Sequence, residues 1–167
     1  DITYIYPLGY VENNNLNMAR ELFYEIGTKK IQLEKFQNAM SEKSIMIGMS
    51  VFSDQTEFSL TGIDSNKANI LEALKLFKEK SSNNLATTDQ YATFKNNMIK
   101  KNPEFLASAA PSYVIFGETS WNRMIKSDVE QLNKKEGNFY ADLINSLSSK
   151  KPDIFAYTSL SKEDVIE

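Results

Sequence analysis

The chain has 167 residues, with 19 Lys and Arg against 22 Asp and Glu, a formal net charge of -3, no Cys and no His. That length suits one domain able to bury roughly 70% of its unfolded surface, and 41% hydrophobic with 11% aromatic residues is too rich for disorder. The two absences exclude thiolate nucleophiles, imidazole bases, Ser-His-Asp triads, His/Cys zinc sites and disulfides, and two lone arginines, Arg20 and Arg123, argue against a nucleic-acid track.

In chain order, Ile2, Tyr4 and Tyr6 share one face of a period-2 pattern, and Pro7 and Gly9 follow, which reads as a strand entering a loop. The chain opens at Asp1 inside that run with no basic and apolar leader, so a fragment of a longer polypeptide without a signal peptide is expected. Asn13, Asn14 and Asn15 offer N-caps to a helix in which Leu16, Ala19, Leu22, Phe23 and Ile26 recur, stopped at Gly27 as a C′ residue. A second short helix turns Leu33, Phe36, Gln37 and Met40 inward. Ser44 to Val51, then Phe58, Leu60 and Gly62 beyond a turn at Ser53 and Asp54, form an antiparallel hairpin. Met46 interrupts the alternation and suggests a first strand buried on both faces.

Asp64 or Ser65 caps a helix with the stripe Ile70, Leu71, Leu74 and Phe77, which runs out in the linker-like stretch Ser81 to Asn84. Thr88 caps another through Tyr91, Phe94 and Met98, ending before Pro103; Phe105 to Ala110 adds a turn or two, and Pro111 stops it. Trp121, Met124 and Ile125 suggest a short helix, and Val129 to Leu147 a longer one interrupted near Gly137. Residues 161–167 read as a final capped turn. No apolar run approaches the ~20 residues of a membrane helix. The order β-α-α-β-β-α followed by helices specifies an α+β fold, an antiparallel sheet with helices packed on one side, with 1–167 as a single module.

Three phrases, "LNMARELFYEIGTKKIQLEKFQNAM", "SIMIGMSVFSDQTEFSLTGIDSNKANILEALKLFKE" and "TTDQYATFKNNMIKK", give this chain a succession that resembles the pitrilysin/insulinase-like zinc metallopeptidases, the inverzincins. In an active module of that family the first helix carries H-x-x-E-H, with Gly-Thr soon after. Anchoring on Gly27 and Thr28 places the two histidine positions at Met18 and Leu22 and the catalytic glutamate at Glu21. The third ligand, a Glu on a later helix, falls near Asn96 or Asn97. Apolar and neutral amide side chains cannot replace those ligands, and Glu21 without a metal has no polarised water to deprotonate.

The resemblance therefore implies a metallopeptidase-like module lacking the zinc motif, with no catalytic or metal-binding residue of its own. Zinc is expected in an active module, in the same chain or in a partner subunit, on which this one docks to close a chamber around a peptide substrate. In active modules the strand equivalent to Met49 to Phe58 is an edge that pairs with extended substrate backbone. Ser50, Phe52 and Asp54 are thus candidates for a chamber wall, and Arg123 beside Trp121 for a carboxylate clamp. Each has a plainer reading. Met18 and Leu22 fit a core stripe, Glu21 an exposed helix position beside Arg20, Asn96 and Asn97 a solvated helix face, and Met49 to Phe58 an inner strand. Ser148-x-x-Lys151 has a Ser-Lys spacing without an oxyanion signal, and the lysine pairs read as solvated faces. Two other functions compete: a free-standing peptide- or protein-interaction domain of the same fold, and an unrelated carboxylate hydrolase. No nucleic acid and no membrane span are expected, and the resemblance is consistent with an exported bacterial protein.

Overall fold

Alternating apolar and small polar residues build a four-stranded antiparallel sheet in the computed structural model, which describes residues 1–62, 67–116, 132–136 and 138–166. Strands β1 (Ile2–Tyr6), β3 (Ile45–Val51), β4 (Thr56–Gly62) and β6 (Asp153–Ala156) lie in the order β3-β4-β1-β6. Register places Met49, Phe58, Tyr4 and Ile154 in one row across the sheet. Because side chains alternate between faces, Ile2, Tyr4, Tyr6, Ile47, Met49, Thr56, Phe58 and Leu60 are buried on one side. The other face carries Thr3, Gly48, Ser50, Ser59 and Thr61, and no helix of the described residues covers it.

Helices α1 (Asn15–Glu25), α2 (Leu33–Glu42), α3 (Lys67–Ser82), α4 (Thr88–Phe116) and α5 (Phe139–Leu147) form the second layer, and α6 (Lys162–Ile166) closes the chain. The α1 stripe of Leu16, Ala19, Leu22 and Phe23 is buried, and Phe23 meets Phe58 at 5.7 Å between ring centroids. Phe77 of α3 packs edge-on against Tyr4 at 4.8 Å. Tyr140, Ala141, Ile144 and Leu147 of α5 are fully buried in the helical layer, where α5 lies along α1. A reciprocal Ser161–Asp164 cap starts α6, in accord with the final capped turn.

Several local expectations are corrected. The α4 helix runs unbroken through Pro103 and Pro111: each proline removes one main-chain hydrogen bond, and a 29-residue helix keeps the rest. Its cap is Thr87 rather than Thr88, with Thr87 Oγ1 accepting from Gln90 N–H and Gln90 Oε1 from Thr87 N–H. Met46 is 69% exposed, so β3 is buried on one face only. Gln37 is exposed and Leu33 and Met40 half-buried, leaving Phe36 as the inward residue of α2. Ile70 and Leu71 are half-buried while Ala73 joins Leu74 and Phe77 inside. Gly27 follows α1 but is not left-handed: Ile26 is already extended (φ -125°, ψ 157°), and Gly27 enters the short strand β2 (Gly27–Thr28). A Cβ on Gly27 would press on the Ile31 carbonyl and Leu33 amide, so close approach requires the glycine there.

The stretch Ser81 to Asn84 is no linker. Ser81 and Asn84 are buried, and β5 (Asn84–Leu85) pairs with β2 in a second, two-stranded sheet. The expected caps Asp64 and Ser65, the Trp121–Ile125 helix and Val129 lie outside the described residues.

Candidate functional site

The positions aligned with a zinc site do not form one. Met18 and Leu22 are 6% and 0% exposed, part of the core. Glu21 is ion-paired with Arg20 at the surface. Asn96 and Asn97 lie on the exposed side of α4, whose buried side is Tyr91, Phe94 and Met98. Two thioether or aliphatic side chains and two solvated amides do not fit a zinc ion, which takes thiolate, imidazole or carboxylate ligands. Among the described residues no group of three or more Asp or Glu side chains is placed to hold a metal ion.

The peptide-facing candidates cluster better. β3 is an outer strand of the four-stranded sheet, not the inner strand of the plainer reading. Ser50, Phe52 and Asp54 are all exposed, at its end and on the turn to β4. That turn is held rigidly: Phe52 N–H donates to Gln55 O at 2.8 Å, and Tyr10 and Val11 N–H donate to Phe52 O and Ser53 O at 2.9 and 3.1 Å. Gly9 makes this possible, since a Cβ there would collide with Ser53 O and Asp54 N. Thr56 Oγ1, fully buried, donates to Leu8 O at 2.7 Å and ties the same loop to β4. Arg123 and Trp121 lie outside the described residues.

In an antiparallel ladder the N–H and C=O of successive residues face opposite sides. Phe52 bonds back toward β4, so Ile45, Ile47, Met49 and Val51 turn their amides to the open edge. At Met49 both groups are already engaged. Tyr24, reaching from the end of α1, donates its hydroxyl to Met49 O at 3.1 Å and accepts from Met49 N–H at 2.9 Å. Sequence reasoning missed Tyr24, which stands beside Phe23 outside the apolar stripe.

A polar junction under α1 was also missed. Lys80 is 2% exposed, and its ammonium donates to Ile26 O at 2.6 Å and sits 4.5 Å from the Phe23 ring centroid. Burial pushes this ammonium down to about 7. Asn84 N–H donates to Asn145 Oδ1 at 2.7 Å, Asn145 Nδ2 returns a bond to Asn84 O at 3.0 Å, and Asn84 Nδ2 donates to Lys80 O at 2.7 Å. Such side chains look like a linker in sequence; their bonding makes them a buried seam joining α3, β5 and α5.

By sequence the chain matches no protein-family profile and no curated protein. Its structure does find neighbours. A variant of the ferredoxin protease FusC, in complex with Arabidopsis ferredoxin, superposes on 99% of the chain with a TM-score of 0.74 and 14% identity. An inactive domain of an M16 peptidase from Pseudomonas fluorescens covers 96% at a TM-score of 0.59 and 17% identity. The fold is that of an M16 peptidase module. A protease from Helicobacter pylori shares it over 98% of the chain, with a TM-score of 0.67 and 13% identity. The chain spans 19%, 47% and 42% of those three proteins, a fraction of each larger molecule. The M16 fold, an antiparallel sheet with helices on one side, is therefore present here. Among the described residues no helix is long and apolar enough to cross a membrane.

Proposed function

We propose that this chain is a non-catalytic module of a pitrilysin/insulinase-like zinc metallopeptidase, one part of a longer protease. It docks on an active module, in the same polypeptide or a partner subunit, and forms part of the wall of its peptide chamber. The observation that carries this reading is the outer strand β3, which leads into exposed Ser50, Phe52 and Asp54 beside a sheet face that no helix of the described residues covers. An edge of unpaired main-chain groups binds extended peptides of varied sequence, because recognition runs through the backbone. Zinc and the catalytic glutamate belong to the active module; this chain contributes orientation, holding the peptide in reach of chemistry performed elsewhere.

The test is a peptidase assay on this chain, the zinc-bearing module and the two combined. The chain alone is expected to be inactive, and the combination faster than the zinc module by itself. Hydrolysis by this chain alone that survives a chelator would favour a carboxylate hydrolase. Full activity of the zinc module without it would leave the free-standing interaction domain.

A further inference from the structure

We propose that Tyr24 is a gate on the β3 edge: its hydroxyl occupies the main-chain slot at Met49, and an extended peptide pairs along β3 only by displacing it. The inference rests on the reading of β3 as a peptide-binding edge and adds the residue that regulates access to it. The hydroxyl satisfies both outward groups of Met49, the N–H at 2.9 Å and the C=O at 3.1 Å, which are the two bonds a docking strand would make there. Met49 lies midway between Ile47 and Val51, the neighbouring residues whose amides also face outward. With Tyr24 seated, a peptide meets an edge interrupted at its centre.

The rest of Tyr24 suits a movable plug. The residue is 48% exposed, near the C-terminal end of α1, and its ring rests edge-on against Phe23 at 5.2 Å between centroids. A side-chain rotation frees the hydroxyl without disturbing the α1 stripe, since Leu22 and Phe23 hold the helix to the sheet independently. An unplugged β3 would be an unprotected edge, and natural sheets cover such edges against unwanted pairing. The gate thus keeps β3 closed to other strands until a peptide competes for it.

The experiment uses the protein and its Tyr24→Phe variant, which keeps the ring and deletes the hydroxyl, with Tyr24→Leu as a second variant. The probe is a fluorescein-labelled, Lys-flanked peptide of alternating valine and threonine; the same peptide N-methylated at alternate residues, and so unable to pair, is the control. Removing the one hydroxyl that competes for both Met49 groups is expected to tighten binding of the probe about five-fold or more, with no gain for the control. Amide exchange at Met49 is expected to be faster in both variants than in the unaltered protein, since its N–H loses the Tyr24 acceptor. Equal or weaker probe binding by variants that retain the native spectrum overturns the gate and leaves the edge reading standing. Absence of probe binding to all three proteins overturns the edge reading itself, and the gate with it.

Discussion

Lys80 makes stability depend on pH in a direction the fold specifies. Its ammonium is buried against one carbonyl and two aromatic faces, and desolvation lowers its pKa to about 7. An unfolded lysine titrates near 10.4, so between pH 7 and 10 the unfolded chain binds a proton that the native state has released. Stability therefore rises with pH across that window, by about 2 kcal/mol between pH 7 and 9, and levels off below 7 where both states are protonated. The buried phenols of Tyr4, Tyr6 and Tyr91 are raised above their ordinary 10 by desolvation, so they act only at higher pH and with the opposite sign. Glu72 and Asp164, lowered by their hydrogen bonds to Lys43 and Lys67, act on the acid side. Urea melts at pH 7, 8 and 9 and constant ionic strength read the effect. Lys80→Met, of similar volume and without charge, should stay folded and lose the slope. A wild type flat from pH 7 to 9, or a Met variant with an unchanged slope, refutes the assignment to Lys80.

Three further outcomes follow from the packing. Leu74→Ala, at a site 3% exposed under the sheet, should cost about 2–5 kcal/mol in a denaturant melt; a loss under about 0.5 kcal/mol would mean the α3 stripe does not face the core. Gly9→Ala should destabilise by about 1–3 kcal/mol, because the new methyl must push the 52–54 turn away from the loop after β1. A double-mutant cycle on Asn84→Ala and Asn145→Ala should give a coupling of at least about 0.5 kcal/mol, since Asn84 Nδ2 donates to Asn145 Oδ1 at 3.2 Å across the seam.

The layered fold was legible because its periodicities are clean. Ile2, Tyr4 and Tyr6 alternate, Leu16 to Ile26 repeats at helical spacing, and both patterns are buried as expected. What escaped was set by partners distant in sequence. β6 carries Asp153 and exposed Ile154 and Phe155, with no alternation of its own, and is a strand because β1 pairs with it. Two-residue strands such as β2 and β5 are too short to show a period. Pro103 and Pro111 misled because proline's local penalty is read without the bonds a long helix retains. At the site, exposed Ser50, Phe52 and Asp54 could be proposed from the hairpin, but the plug at Met49 depends on a hydroxyl 25 residues away in the chain.

The most direct measurement of the central claim is photo-crosslinking inside the proposed assembly of this chain with a zinc-bearing module. A peptide substrate carrying benzoylphenylalanine is trapped in an enzyme whose active module lacks its catalytic glutamate, and the crosslinked residues of this chain are mapped. The account predicts adducts along β3 and its turn, at Ser50, Phe52 and neighbouring positions, and on the sheet face that carries Thr3, Ser59 and Thr61. Adducts confined to the helical layer, such as the exposed side of α2 or α4, or none on this chain at all, would contradict a role as chamber wall.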